Sequence, residues 1–296
     1  MIWDGNNLFR RNAGNKGLAN LKFNGRTTGA IHGTIKSIVT DIQTYKPDEC
    51  AVVFDGNGAK SRKQRIYAGY KANRSSSMDD DLQQQLNITI DILRAAGICT
   101  LQKAGIDADD AIGALASIPK RSVLIMSADK DFLQLVSPTC SQIRIRGEGP
   151  ELWTEQTVKD KMQVYPSQIS DYLALCGDAV DGIPGLRGCG PKNAIQLLKD
   201  WDCLEKIIRH YYELPPKWKY AVEIQRDELR TFHRLTKLDT SVISATAMAS
   251  IIPRLTPQKY SNDLSKHCEM NGLVWLQKWF LSHRPLVTAS PRGLWG

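Results

Sequence analysis

Apolar residues in this chain follow two different spacings. Met1–Trp3, Cys50–Phe54, Gly97–Thr100, Ser122–Ser127 and Gln142–Ile145 are short apolar runs of strand length. Between them, Thr28–Tyr45, Asp79–Ala96 and Asp109–Ser117 repeat their apolar positions with the period of a helix. Strands alternating with amphipathic helices predict an α/β unit: a central, mostly parallel sheet flanked by helices. From Thr154 onward the patterns are mostly helical and strand signals fade. The expected division is residues 1–150, a helical segment 151–255, and an extension 256–296.

The acidic residues stand at particular places in this pattern. Asp4, Asp55, and the pair Asp129 and Asp131 each come just after a predicted strand. In open α/β sheets, groups at the carboxyl ends of strands face the ligand-binding edge. Asp107, Asp109 and Asp110 open a predicted helix, and Asp178 and Asp181 follow Tyr-Leu-Ala-Leu-Cys-Gly. A single aspartate at a helix start reads as a cap. Nine carboxylates in this arrangement repel one another unless positive charge lies between them, and hard divalent cations with oxygen ligands are the usual solution.

Composition narrows the chemistry. The 296 residues are 42% hydrophobic, enough for sizeable cores, and no apolar run reaches membrane-spanning length. The chain shows no charged-then-apolar leader and so reads as unexported, with no membrane partner. Seven cysteines without a Cys-x-x-Cys pair argue against a disulfide framework or a zinc site and for a reducing cytoplasm. The net charge of +8 suits a polyanionic partner. An acidic pocket on a basic chain points to metal-assisted attack on a phosphodiester.

Two further segments fit a nucleic acid. Lys60–Arg74 holds six cations, among them Arg62, Arg65, Lys71 and Arg74, with Tyr67 and Tyr70 and no acid. It reads as a basic arch around residues 60–80 that grips phosphates, with tyrosines able to stack on bases. The segment Gly182–Ala194 carries glycines at 182, 185, 188 and 190 and prolines at 184 and 191, ahead of an apolar helix. A glycine-rich turn between helices can present backbone N–H groups to a phosphate, here at Gly188 and Gly190 with Lys192 alongside. Such contacts track a DNA backbone without reading its sequence.

Taken together these segments resemble the flap endonuclease and 5′–3′ exonuclease family, which includes the 5′-nuclease domain of bacterial DNA polymerase I. The likeness runs from Met1 to about residue 240 and keeps the order of the motifs. It lapses beyond residue 250, and that lapse sets off the extension 256–296. It rests on Ile-Trp-Asp4-Gly-Asn, Val-Phe-Asp55-Gly, Tyr-Lys71-Ala-Asn-Arg74, Ile-Asp107-Ala-Asp109-Asp110, Ser-Ala-Asp129-Lys-Asp131 and Gly-Asp178-Ala-Val-Asp181-Gly-Ile-Pro-Gly. The resemblance implies a PIN-like 5′-nuclease fold with a helix–three-turn–helix DNA-binding module in 151–255, the catalytic domain being 1–150. Asp107 departs from the pattern, standing where the family usually has glutamate, one methylene longer. Cys189 replaces an apolar residue, a role that a buried thiol fills.

The resemblance also implies a mechanism. Two Mg²⁺ ions, replaceable by Mn²⁺, would lie about 4 Å apart at the scissile phosphate. Asp4, Asp55, Asp107 and Asp109 would hold the first ion, directly or through water. Asp129, Asp131, Asp178 and Asp181 would hold the second, with Asp110 behind or bridging the ligands. Lys71 and Arg74 would stabilise the transition state, and K⁺ is expected at carbonyls of the glycine-rich hairpin. The implied substrates are branched or nicked DNA with 5′ flaps or ends, and RNA–DNA hybrids such as primers. A compact two-module nuclease needs no partner subunit. The stand-alone architecture and the Tyr-Lys-Ala-Asn-Arg segment suggest a phage enzyme working in a bacterial cytoplasm. Two other readings compete. A non-cleaving DNA-junction-binding replication accessory would need the arch and hairpin but not nine acids. A metal-dependent ribonuclease with a similar acidic sheet edge would lack the 182–194 module.

Overall fold

A computed structural model describes residues 1–72, 78–146, 149–261 and 263–282. The chain begins β1 (Ile2–Asp4), α1 (Gly5–Ala13), β2 (Lys22–Phe23), β3 (Arg26–Thr27), α2 (Gly29–Tyr45) and β4 (Ala51–Phe54). It continues α3 (Ala59–Ile66), α4 (Asp80–Ala95), β5 (Cys99–Gln102), α5 (Ala108–Ala116), β6 (Val123–Met126), β7 (Cys140–Arg146) and β8 (Gly149–Trp153). Helices follow: α6 (Glu155–Met162), α7 (Ile169–Cys176), α8 (Pro191–Trp201), α9 (Leu204–Arg209) and α10 (Pro216–Thr236). The last are α11 (Ala245–Leu255), α12 (Asp263–Met270) and α13 (Val274–Ser282). Among the described residues, no helix is long and apolar enough to cross a membrane.

Six strands form one mixed, mostly parallel sheet in the order β5-β4-β1-β6-β7-β8, so the expected α/β class holds. The predicted strands at residues 1–3, 50–54, 97–100, 122–127 and 142–145 correspond to β1, β4, β5, β6 and β7. β8 was not foreseen. It pairs antiparallel with β7, placing Gln142 opposite Trp153 and Arg144 opposite Glu151.

The chain separates into two compact units. The first comprises Met1–Phe54, Ser77–Gln102 and Ile243–Gly296. Its strands β1, β4 and β5 run parallel, with Trp3 opposite Val52 and Val53 opposite Leu101. β1 and β4 are buried on both faces, which explains why they read as apolar runs, whereas the edge strand β5 ends at exposed Gln102. β2 and β3 form a small hairpin whose tip, Asn24-Gly25, has positive φ at both residues, as a tight two-residue turn requires.

The second unit comprises Asp55–Ser76 and Lys103–Val242 and holds eight of the nine aspartates singled out above. β6 and β7 run parallel here, with Ile125 opposite Gln142. Its helical part packs around Leu173, Leu197, Ile207, Val222, Leu229 and Phe232. Between α7 and α8, Asp178 and Ile183 pair as an isolated antiparallel bridge, exchanging N–H···O bonds of 2.7 and 2.8 Å. α8 starts at Pro191, where the missing N–H costs nothing. All seven cysteines are free thiols.

Candidate metal centre

Three aspartates of the second unit converge. Asp131 opens a 3-10 turn after β6, and Asp178 and Asp181 lie in the loop after α7. One carboxylate oxygen from each lies within 4.8 Å of the others. Oδ1 of Asp131 is buried and has no hydrogen-bond partner. Burial, followed by the neighbouring Asp129, Asp181 and Asp178, pushes the Asp131 carboxyl well above its ordinary range, and Lys130 only partly opposes this. Asp129 shapes the turn: its Oδ1 accepts the Asp131 N–H at 3.0 Å, and its own N–H donates to Ser127 Oγ at 3.1 Å. Hard oxygen donors around an unmet buried acceptor fit a divalent cation.

A second group of carboxylates gathers at the start of α5. Asp55, just past β4, accepts the Ala108 N–H at 3.0 Å and so caps the helix that Asp107 precedes. The Asp55 and Asp107 carboxyl groups lie close enough to perturb each other. Burial and then the Asp107 charge raise Asp55. Burial also works against Asp107, but Lys63 and Lys71 outweigh it and hold that carboxyl below the usual range. Two buried carboxylates this close oppose each other's charge, a penalty that a cation between them would relieve. Asp109 and Asp110 lie in the first turn of α5. Asp110 is fully buried and accepts the Asp239 N–H at 3.0 Å. Its carboxyl is raised by burial despite Lys63.

Lysines neutralise both groups. Lys63 is 5% exposed, with Nζ 3.7 Å from Asp107 and 3.4 Å from Asp110. Lys71 Nζ is 3.7 Å from Asp181, and Lys130 Nζ is 3.2 Å from Asp178. Burial would lower Lys71, but Asp107, Asp109 and Asp181 outweigh it and raise it above an ordinary lysine. The foot of the expected arch is tied to this centre by backbone: the Lys71 N–H donates to Asp181 O at 2.8 Å. Lys71 itself has φ 50°.

Tyr70 departs from expectation. It was read as a platform for bases, yet it is 1% exposed and belongs to the helical core, with Lys71 Nζ 4.9 Å from its ring centroid. Tyr67 is likewise turned inward, edge-on to Phe232 at 5.6 Å. Arg62 reaches two carboxylates, Asp110 at 3.1 Å and Asp239 at 3.0 Å, and Arg65 is exposed. Arg74 lies outside the described residues. Asp4, in the first unit, ends β1 and caps α1 by accepting the Asn7 N–H at 3.0 Å.

In the glycine-rich turn, Gly188 has φ 76° and Gly190 has φ −82°, and a Cβ at either would meet nothing within 4 Å. Lys192 is exposed nearby on α8, and Cys189 is buried, its thiol pushed up to about 12 by that burial. Lys63, Lys130 and Asp239 join the site without standing out in the sequence as Lys71 and the nine aspartates do. Lys63 had a signal: it stands four residues after Ala59 on α3, and both are buried.

Carboxylates clustered after the strands of a mostly parallel sheet, interleaved with fixed lysines, define a metal-dependent phosphodiester hydrolase. Comparison with known proteins is more specific. Residues 1–163 match the family described as "5'-3' exonuclease, N-terminal resolvase-like domain", and residues 164–259 match "5'-3' exonuclease, C-terminal SAM fold". A 5′-3′ exonuclease of Aquifex aeolicus is 37% identical over 221 residues, 74% of each chain. The DNA polymerase I of Caldicellulosiruptor bescii is 35% identical over 207 residues, 68% of this chain but 24% of that protein. Among solved structures, T5 5′-exonuclease with bound zinc ions has a TM-score of 0.72 at 17% identity, over 92% of this chain and 98% of that one. The chain belongs to the 5′–3′ exonuclease family, metal-dependent nucleases acting on DNA.

Proposed function

We propose that this protein cleaves phosphodiesters of branched or nicked DNA at 5′ flaps and ends, close to the junction of single strand and duplex. Asp129, Asp131, Asp178 and Asp181 hold one Mg²⁺. Asp55, Asp107 and Asp109 hold another, with Asp4 as the ligand that its Ile-Trp-Asp-Gly-Asn motif implies. The observation that carries the reading is the Asp131–Asp178–Asp181 cluster, with its buried, unpartnered Asp131 oxygen beside the Lys71 cation. A related solved structure, T5 D15 flap endonuclease in complex with DNA and metal ions, supports the choice of substrate; it is 18% identical, with a TM-score of 0.68.

What the ions supply when bound is a water acidified toward neutral pH and compensation of charge on the leaving oxygen. The chain supplies the rest. Lys71, whose ammonium lies 3.7 Å from Asp181, acts electrostatically on the phosphate. Arg74 works beside it. Lys63 keeps Asp107 ionised and ready to ligate. Asp110 anchors Lys63, Arg62 and the Asp239 backbone, holding the ligand-bearing helix start in place. The open faces of Gly188 and Gly190 receive the duplex backbone with Lys192, and a K⁺ ion at carbonyls of that turn accompanies it.

The test is cleavage of a 5′-labelled flap DNA with Mg²⁺ and with EDTA, beside an RNA–DNA hybrid, for the parent and Asp178→Asn. Metal-dependent release of the flap at its junction, lost in the variant while DNA binding persists, is the expected result. Undiminished turnover by Asp178→Asn, with its metal content verified, would overturn the proposal.

A further inference from the structure

The loop that carries Asp129 and Asp131 is gripped from β7 by two buried side chains. Gln142 and Arg144 are two residues apart, so they project from the same face of the strand. They are 0% and 4% exposed. The Gln142 amide nitrogen donates to Ser127 O at 2.8 Å and to Asp129 O at 2.5 Å. Arg144 donates to the carbonyl between them, Ala128 O, through Nε at 3.3 Å and Nη2 at 2.9 Å. Three consecutive carbonyls are thereby held by two side chains. Arg144 is itself fixed from its other side, its Cζ lying 4.8 Å from the Trp153 ring centroid.

This arrangement is a poor one for stability alone. Gln142 Oε1 is buried with no hydrogen-bond partner, and a buried acceptor left unmet is destabilising. An apolar residue on β7 would avoid that defect. It would also release the Ser127 and Asp129 carbonyls. What Gln142 provides is the orientation of the loop: with its carbonyls turned to β7, the Asp129 carboxylate is free to take the Asp131 N–H, and Asp131 is aimed at Asp178 and Asp181.

We propose that Gln142 and Arg144 are positioning residues for divalent-ion binding, acting through the 127–129 backbone and touching neither ion nor DNA. The inference rests on the reading that the Asp131 cluster holds an ion. Groups that orient metal ligands from behind affect metal affinity by about 10- to 100-fold when removed. Gln142→Met removes both donors at similar volume, Arg144→Met removes the other pair, and Arg144→Lys is the conservative control.

The experiment measures Mn²⁺ binding by calorimetry without DNA, and the Mg²⁺ dependence of flap cleavage, for parent, Asp131→Asn and these variants. Gln142→Met and Arg144→Met should weaken Mn²⁺ binding and raise the Mg²⁺ midpoint about tenfold, with kcat largely recovered at saturating Mg²⁺ and the KM for DNA unchanged. Arg144→Lys should fall between them and the parent. Variants that melt lower yet bind Mn²⁺ like the parent would overturn the inference and leave a structural role only. If Gln142→Met does not fold, the Arg144 pair decides by the same readout. If Asp131→Asn binds Mn²⁺ like the parent, it is the metal site itself that has been misassigned.

Discussion

Replacing Asp131 with Asn should stabilise the ion-free protein while it abolishes cleavage. The Asp131 carboxyl is raised by burial and by three nearby carboxylates, and its Oδ1 has no hydrogen-bond partner. Unfolded, the group titrates near 3.8. Above that pH the folded protein binds a proton that the unfolded chain does not, so stability falls as pH rises toward the folded value. Asparagine removes this dependence and offers an N–H donor to Asp178 or Asp181. The advantage of the variant should therefore be absent below about pH 4 and open as pH rises. An unmet buried oxygen costs about 1–3 kcal/mol. At about 2–4 °C per kcal/mol for a chain of this size, the gain in Tm is about 2–12 °C. The assay is thermal unfolding followed by circular dichroism in EDTA at several pH values, repeated with Mn²⁺. The added ion should stabilise the parent and leave the variant nearly unchanged. A variant that melts at or below the parent in EDTA near neutral pH would refute the reasoning, because Asp131 would then not be a source of repulsion.

Two glycines should respond in opposite ways. Gly182 has φ 69° and a Cβ there would run into Gly69 O, so Gly182→Ala should cost about 1–3 kcal/mol in a urea titration and lower kcat by disturbing Lys71 and Asp181. Gly190 meets no such obstacle, so Gly190→Ala should stay within about 0.5 kcal/mol of the parent yet weaken duplex binding, measured by anisotropy. Equal stability of the two variants would contradict this. Asp171, buried on α7 with His233 Nε2 at 3.1 Å, has a carboxyl raised by burial to about 6. Its folded value lies above its unfolded one, so its contribution to stability is lost as pH rises from about 4 to about 6. Asp171→Asn should flatten the urea midpoint across that window, and an unchanged slope would count against the assignment.

The parallel strands were legible because a strand buried on both faces leaves an unbroken apolar run; β1, β4 and β6 fall within a residue or two of the reading. α1 escaped notice because Asn6-Asn7 and Arg10-Arg11 dilute its apolar face to Leu8 and Phe9. β8, Gly-Pro-Glu-Leu-Trp, has the composition of a turn and is held as a strand by its ladder with β7. Of the carboxylates, the convergence of Asp131, Asp178 and Asp181 follows from their places at element ends. Which cation answers which carboxylate does not, because ion pairs between distant segments leave no periodic trace. That is why Lys63 was missed within the same basic run from which Arg62 and Arg65 were chosen. Tyr70 misled for a related reason: its place in a basic run suggests exposure, but the ring is part of the core and the Lys63 and Lys71 ammonium groups lie over it.

The lysines that face the carboxylates have a consequence for how the protein lives with changing ion supply. Small metal-folded domains come apart when their ion is removed, because nothing else offsets their ligands. Here Lys63, Lys71 and Lys130 stand in as tethered counter-ions, each already facing an aspartate of the centre. Folding thereby does not require the ion, although binding it adds stability. Scarcity of the ion idles the protein without unfolding it, and the return of the ion restarts turnover with no refolding step between.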